Sequence, residues 1–156
     1  MTRLGLLAAL AALTLAGLSG PAASDALERS AGGAVAAVNA VRAQGGLGAL
    51  RRSAPLDRAA RAQADWLARA GHLSHRGRGG STSLQRVRSA GYGACFAAEN
   101  LARGPKGARD AARAWLASAG HRRNVLSRRA SEVGVAVRPD RSGRPIWVMV
   151  FGTRCA

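Results

Sequence analysis

The chain has 156 residues, a formal net charge of +16 and only 4% aromatic residues. This length suits one domain with a single hydrophobic core. A basic surface attracts polyanions, but the scarcity of aromatic side chains and the lack of a known binding motif argue against specific nucleic-acid recognition. Arginine occurs in every segment and Lys106 is the only lysine, so the positive charge is predicted to be spread over the surface.

The N-terminus has the layout of a secretory signal peptide. Arg3 precedes an uncharged Leu/Ala run over residues 4–18, and small residues follow up to Ser24. The apolar run is shorter than the roughly 20 residues that span a bilayer, although an uncleaved anchor remains the alternative. No cysteine follows the run, which argues against a lipoprotein. We therefore expect residues 1–24 to be removed, the mature protein to be secreted or periplasmic, and no later segment to span a membrane.

Helical spacing of apolar residues dominates the first three quarters of the chain. Residues 25–33 are expected to form a flexible lead-in. Helices or helical turns are then predicted over residues 34–44, 53–70, 83–90, 108–117 and 120–126.

The pattern changes near the C-terminus to the alternation of β-strands. Residues 133–137 and 146–151 flank the turn signal Asp140-Arg141-Ser142-Gly143, which predicts a hairpin. Residues 96–102 are predicted to form a further short strand. Helices followed by a hairpin indicate an α+β fold with an antiparallel sheet covered by helices. The three tryptophans are assigned to the core: Trp66, Trp115 and Trp147.

The histidines lie at predicted helix ends, and Glu99 lies between apolar residues of a predicted strand. A buried carboxylate needs a partner, and an imidazole is a natural one. Two histidines and a carboxylate can also hold Zn²⁺ with one position open, but the spacing of His72, His75 and His121 does not select which of them would be ligands. The alternative is a structural hydrogen-bond network. His72 is interpreted as a surface residue at a helix end, with a position beside the site as the alternative.

The two cysteines are Cys95 and Cys155. An even number of cysteines in an exported chain indicates one disulfide, and a bond at the penultimate residue would attach the C-terminus to the middle of the chain. Two free thiols are the alternative.

Short motifs along residues 34–152 resemble the CAP superfamily, also called the SCP domain family. This superfamily includes cysteine-rich secretory proteins, antigen 5 and plant pathogenesis-related proteins, and the resemblance is to its bacterial branch. The matching segments, in chain order, are Asn39-x-x-Arg42, Leu56-Asp57, Ser74-His75, Gly91-Tyr92, Ala98-Glu99-Asn100-Leu101-Ala102, Trp115-x-x-Ser118-x-Gly120-His121-Arg122-x-Asn124-Val125-Leu126, Glu132-Val133-Gly134-Val135 and Trp147-Val148 to Phe151-Gly152.

The resemblance implies an α-β-α sandwich over residues 34–156, with a small antiparallel sheet between helical layers. It also implies one pocket containing His75, Glu99 and His121 at its mouth, with His75 and His121 as candidate metal ligands and Glu99 in support. The family pocket has two histidines and two glutamates. The second glutamate of many eukaryotic members corresponds to Ser118 here, which removes one acidic group and one possible metal contact.

Three functions are compatible with these features. The first is a secreted protein that binds a cell-envelope or lipid ligand through the His/Glu pocket. The second is a metal-assisted hydrolase of peptidoglycan or peptide, with zinc as the possible cofactor. The third is a surface protein that binds polyanions through its charge. A serine hydrolase built on Ser74 or Ser118 is disfavoured, because neither residue lies in a nucleophile-turn motif.

Overall fold

The computed structural model describes residues 21–155. Most of the predicted signal peptide, residues 1–20, therefore lies outside the described residues. The chain forms five α-helices, one short 3-10 helix and four strands within this range. In chain order they are α1 Pro21–Gln44, β1 Arg51–Arg52, α2 Ala54–Ala70, the 3-10 helix Arg78–Gly80, α3 Ser83–Ser89, β2 Ala94–Arg103, α4 Ala108–Ala117, α5 Ala119–Val125, β3 Glu132–Pro139 and β4 Pro145–Arg154.

The strands form one sheet in the order β1-β3-β4-β2. The predicted hairpin is confirmed, with β3 antiparallel to β4, and β2 pairs antiparallel with the other edge of β4. The sheet is not purely antiparallel, because the two-residue strand β1 pairs with β3 in parallel. So short a strand has no hydrophobic alternation from which it could be predicted. β2 lies at an edge of the sheet.

Helices cover both faces of the sheet, which confirms the α-β-α sandwich. Alternate residues of β4 divide between two cores: Trp147, Met149 and Phe151 pack with α1, α4 and α5. Ile146, Val148 and Val150 pack with α2 and α3. This division follows directly from the two-residue repeat of a strand that is buried on both sides.

Residues 25–33, expected to be a flexible lead-in, instead belong to α1. Ala31 is buried in the core, and Glu28 forms ion pairs with Arg52 and Arg61. The sequence prediction began the helix too late because the segment is poor in large apolar residues and contains Gly32-Gly33. Its small residues permit close packing, since a Cβ on Gly33 would lie 3.0 Å from that of Ala108 in α4.

The two cysteines form the predicted disulfide, with the sulfur atoms 2.02 Å apart. The bond connects Cys95, near the start of β2, with Cys155, the residue after β4. Because β2 and β4 are antiparallel, the start of β2 lies beside the end of β4. It therefore holds the C-terminus beside the edge strand that carries Glu99.

Two of the three tryptophans are buried as predicted, namely Trp115 and Trp147. Trp66 is only partly buried, and its ring meets that of His72 edge-on at a centroid distance of 5.8 Å. Trp66 therefore lies at the rim of the core and not inside it. Within residues 21–155, the structure contains no helix with both the length and the apolar character needed to cross a bilayer.

Candidate functional site

The site is built on two neighbouring residues in the middle of β2, Glu99 and Asn100. Successive side chains of a strand point to opposite faces. Glu99 therefore faces the layer of α2 and α3, and Asn100 faces the layer of α4 and α5. Because β2 is an edge strand, loops from the two helical layers can meet beside it. The site is thus a meeting point of both layers.

Local sequence signals place one half of the site. Gly71 ends α2 in the left-handed conformation, at φ 77°, and releases the loop that carries His75. Thr82 begins α3 with a capping box in which its side chain and that of Gln85 satisfy each other's backbone N–H groups. The first turns of this helix then direct Arg86 toward β2.

Glu99 is held between two cationic partners. Its Oε1 accepts a hydrogen bond from His75 Nδ1 at 2.9 Å, and its Oε2 accepts one from Arg86 Nη2 at 2.6 Å. The Glu99 side chain is 2% exposed and that of Arg86 is 9% exposed, whereas that of His75 is 61% exposed. The buried carboxylate is therefore neutralised from inside by Arg86 and orients the exposed imidazole of His75.

Sequence reasoning missed Arg86, which also donates to the carbonyl oxygens of Ser81 and His75. The sequence does indicate that a buried Glu99 needs a positively charged partner. The sequence offers more than twenty arginines, however, and spacing does not distinguish among them.

The other half of the site depends on asparagine side chains. Asn100 is fully buried and donates to the His121 carbonyl oxygen at 3.0 Å. Asn124 in turn donates to Asn100 Oδ1 at 2.9 Å. These bonds attach the first turn of α5, which carries His121, to the edge strand. The short helix is fixed by side-chain amides, while its histidine ring remains available.

Ser118 is the N-cap residue of α5, three positions before His121, and its side chain makes no capping hydrogen bond. N-cap and N3 side chains lie on the same side of a helix start and can contact each other. Ser118 therefore lies on the same helix turn as the His121 side chain. Among the described residues it makes no hydrogen bond to either site histidine.

The structure brings the two site histidines together. The rings of His75 and His121 lie 6.4 Å apart, centroid to centroid, at an interplanar angle of 64°. The hydrogen bond to Glu99 is the main cause that raises the pKa of His75 above its usual value. Burial, followed by the proximity of His75, lowers the pKa of His121. A single small site thus holds one imidazole that favours its proton and one that does not.

These opposite directions have opposite consequences for stability. Folding raises the pKa of His75, so this histidine stabilises the folded protein most at low pH. Its contribution to the free energy of unfolding is fully present below the unfolded pKa of about 6.5 and is lost as the pH rises through the folded pKa. Folding lowers the pKa of His121, so its neutral form contributes to the free energy of unfolding above about pH 6.5. This contribution is lost as the pH falls through the folded pKa. We expect NMR titration of the imidazole carbons to place His75 above His121.

The substitution Glu99→Gln should move the His75 transition to lower pH, because the neutral amide no longer favours the imidazolium. Glu132→Gln serves as the control, since Glu132 pairs with Arg51 and Arg154 away from the site. Equal transitions for the two histidines, or an equal response to both substitutions, would contradict the assignment.

The donor set does not fit a complete zinc site. A catalytic zinc ion usually has three protein ligands, whereas both oxygens of Glu99 are occupied by His75 and Arg86. In residues 21–155 no group of three or more His, Cys, Asp or Glu side chains is arranged to hold a metal ion. His75 and His121 alone remain as candidate ligands, and Glu99 serves to orient His75.

The missing third ligand can be supplied at Ser118. We expect Ser118→Glu to raise the Zn²⁺ affinity about tenfold or more, since a carboxylate oxygen suits this ion and the N-cap position adjoins His121. Isothermal titration of the metal-free protein measures the effect. Ser89→Glu adds the same charge at an exposed position in α3 and controls for general attraction. Equal gains from both substitutions would mean that the pair lacks the geometry for a metal.

The predicted histidine site does not coincide with either of two cavities among the described residues. A cavity of about 610 Å³ lies between α2 and α3, and another of about 590 Å³ lies between α1 and α4. Neither is lined by His75, Glu99, Ser118 or His121, although Arg86 lines the first. The two imidazoles therefore lie outside these two cavities, with His75 exposed and His121 partly buried.

The architecture and the site together define a class of protein. It is a small disulfide-bonded α-β-α sandwich with two histidines at the edge of a four-stranded sheet, and a buried glutamate orients one of them. The family model of the cysteine-rich secretory proteins, CAP, matches residues 35–151. The chain belongs to this family. Among curated proteins, none is similar enough in sequence to count as a match.

Solved structures of three bacterial proteins are similar to this chain. An outer surface protein of Borrelia burgdorferi has a TM-score of 0.72 and 22% identity, covering 78% of this chain and 90% of that one. An extracellular protein with an SCP domain from Bacillus anthracis has a TM-score of 0.80 and 21% identity, covering 89% and 45%. A cysteine-rich secretory protein from Staphylococcus aureus has a TM-score of 0.66 and 16% identity, covering 81% and 39%. These similarities establish the fold.

Proposed function

We propose that this chain is an exported CAP-domain protein that binds an anionic or polar group of a cell-envelope polymer or lipid through His75 and His121. The observation that carries the proposal is the arrangement around Glu99. Its carboxylate is buried and fully engaged, so its role is to orient His75 and to favour the protonated ring. The outward edges of the two imidazoles then form the available chemical surface.

The electrostatics of the site suit an anionic oxygen. A protonated His75 has a second N–H group that does not contact Glu99 and can donate to a ligand. Charge-assisted hydrogen bonds of this kind are stronger than those between neutral groups. Neutral His121, with its ring 6.4 Å away, can donate or accept according to its tautomer. The pair can therefore recognise a phosphate or carboxylate together with a neighbouring hydroxyl.

The histidines of the chain provide their own control for a binding test. Binding of the mature protein to purified peptidoglycan and to vesicles with and without anionic lipid should be compared for wild type, His75→Ala, His121→Ala and His72→Ala. We expect the two site substitutions to weaken binding by about tenfold, as for the loss of a charge-assisted hydrogen bond. His72 is exposed at the end of α2, and its substitution should have less than about a twofold effect. Equal effects of all three would refute the site.

A second candidate is an envelope hydrolase that uses the histidines as an acid and base pair. The specific observation in its favour is that the pKa values of His75 and His121 are displaced in opposite directions. Such a pair can donate one proton and accept another at the same pH. Product analysis after incubation with peptidoglycan or peptide decides this question: soluble products from wild type but not from His75→Ala or His121→Ala would establish hydrolysis.

Binding through net charge alone is the remaining alternative. The dependence of affinity on salt concentration distinguishes it from binding through His75 and His121. Affinity that arises only from the +16 charge should fall steeply with salt and should not distinguish among polyanions. Affinity that arises from the histidine pair should instead depend on His75 and on ligand chemistry at a fixed salt concentration.

Export is part of the proposal. It is supported by the charged start and apolar run of residues 1–24 and by the extracellular and outer surface descriptions of the structural relatives. We expect N-terminal sequencing of exported protein to begin near residue 25, because small residues precede that position. Exported material that still begins at Met1 would refute cleavage.

A further inference from the structure

Five arginines gather at one end of the sheet, away from the histidine pair. The strand pairing brings the starts of β1, β2 and β3 and the end of β4 to this end. Arg88 of α3 is attached there, because it donates to the carbonyl oxygen of Ala94, the first residue of β2, at 3.1 Å. We call the five residues the sheet-end arginine cluster: Arg51 in β1, Arg88 in α3, Arg128 and Arg129 before β3, and Arg154 in β4.

The described residues leave most of this positive charge without an acidic partner. All five arginines of the sheet-end arginine cluster are exposed. The acidic residue that contacts the cluster is Glu132, whose side chain is 12% exposed and pairs with Arg51 at 3.2 Å and with Arg154 at 3.5 Å. The other three arginines form no ion pair within residues 21–155. Five guanidinium groups beside one shielded carboxylate attract an anionic partner.

Two of the guanidinium groups are oriented by aromatic rings. The Arg129 Cζ atom lies 4.5 Å from the centre of the Phe96 ring, and the Arg154 Cζ atom lies 4.5 Å from the centre of the Tyr92 ring. The backbone is held as well, since the Arg129 carbonyl oxygen accepts a hydrogen bond from the Thr153 hydroxyl. Guanidinium groups that stack on rings keep N–H donors at their edges for a ligand, and orientation before binding lowers its entropic cost.

The positions of these two rings indicate an extended partner. Phe96 packs against the core formed with α1 and α4, whereas Tyr92 belongs to the core formed with α2 and α3. Arg129 and Arg154 therefore lie against rings on opposite sides of the sheet. A single small anion would contact one side, but a chain with a charge on every repeat unit can contact both. Such a chain gains affinity from several weak contacts made together.

The same region lacks the features that two other polyanions would use. Single-stranded nucleic acids stack their bases on open aromatic faces, whereas guanidinium groups cover the rings of Phe96 and Tyr92. Binding to a bilayer from its surface uses apolar side chains that enter the interface. Among the described residues the exposed large hydrophobic side chain is Leu73, which follows α2 and is not part of the cluster.

We propose that the sheet-end arginine cluster binds a linear phosphodiester polymer, whose phosphates lie on the guanidinium groups and whose backbone crosses the end of the sheet. Arginine suits this partner because its planar fork matches two phosphate oxygens at once. The surface is independent of the function proposed for His75 and His121, since Glu99, which orients His75, lies in the middle of β2 and not at its start.

The test is calorimetric titration of the full mature chain with a hexamer of glycerol phosphate, at about 0.15 M salt. We expect the hexamer to bind at least about tenfold more tightly than glycerol 3-phosphate, because only the chain contacts both sides of the cluster. Hexaglutamate and an oligothymidylate with six phosphates supply similar charge on other backbones. Equal affinity for hexaglutamate, or tighter binding of the oligothymidylate, would overturn the proposal.

A triple substitution locates the contact. Arg88→Gln, Arg128→Gln and Arg129→Gln, made together, should weaken binding of the hexamer about tenfold or more. The matched control combines Arg69→Gln, Arg109→Gln and Arg141→Gln, which removes the same charge from exposed arginines elsewhere that also form no ion pair within the described residues. The control should change the affinity by less than about threefold. Equal losses from the two triple variants would mean that net charge alone binds the polymer.

Arg129→Lys tests the geometry separately from the charge. Lysine keeps the positive charge but loses the planar fork and the stacked guanidinium group, so we expect a loss of about threefold or more, with no loss for Arg109→Lys. An unchanged affinity of Arg129→Lys would overturn recognition by an oriented guanidinium group. His75→Ala and His121→Ala should bind the hexamer as wild type does, which separates failure here from failure of the proposed function. A loss in either would assign the polymer to the histidine pair instead.

Discussion

Replacing Gly134 by alanine is expected to lower the free energy of unfolding by about 3 kcal/mol, at the upper end of the usual cost of overpacking. Gly134 lies in β3 beneath the first turn of α2. A Cβ atom there would lie 2.0 Å from the Leu56 carbonyl carbon and 2.3 Å from the Asp57 nitrogen. Both are backbone atoms, so no side-chain rotation can relieve the overlap. The helix would have to move away from the sheet.

Movement of α2 would also strain the bonds that attach it to the hairpin. Asp57 Oδ1 accepts a hydrogen bond from the Val135 backbone N–H at 2.9 Å, and Leu56 is fully buried against the same strands. Urea unfolding measures the loss. Gly48→Ala is the matched control, because no atom lies within 4 Å of its added methyl group. A difference of less than about 1 kcal/mol between the two variants would show that α2 adapts to the methyl group by a small shift.

Sequence patterns predict only part of the fold and of the site, and Gly134 illustrates the reason. Alternation of apolar residues predicts β3 and β4, because both faces of these strands are buried and turn residues separate them. Glycine within a strand indicates close approach by another backbone, but the sequence does not name the approaching segment. Motif order identified His75, Glu99 and His121 together, whereas spacing alone would not have joined residues from three separate elements.

The parts of the fold that were not predicted depend on tertiary contacts. β1 has only two residues and exists because Arg51 and Arg52 pair with the start of β3. The N-terminal turns of α1 depend on the burial of Ala31 and on ion pairs of Glu28, which local helical spacing does not reveal. The identity of the cation beside Glu99 also depends on tertiary structure. The position of α3 places Arg86, and no other arginine of the described residues, in contact with the carboxylate.

Replacing Arg86 by methionine is expected to lower the free energy of unfolding by about 3–5 kcal/mol, the usual cost of leaving a buried charge without its partner. The Arg86 and Glu99 side chains are 9% and 2% exposed, with Nη2 and Oε2 2.6 Å apart. Methionine preserves much of the volume but removes the charge and the bonds to the Ser81 and His75 carbonyl oxygens. Only His75, largely exposed, would remain to stabilise the carboxylate.

A matched exposed pair separates burial from simple loss of charge. Arg113 and Asp110 lie 2.6 Å apart, but their side chains are 78% and 51% exposed, so Arg113→Met should cost at most about 1 kcal/mol. The double substitution Arg86→Met with Glu99→Gln should be less destabilising than Arg86→Met alone, because the uncompensated charge is gone. The single variant should also raise the pKa of His75 further, since the positive charge of Arg86 opposes protonation of that ring. Equal costs for Arg86→Met and Arg113→Met, with an unchanged His75 titration, would mean that Arg86 does not neutralise Glu99 and that the buried carboxylate is stabilised by another group.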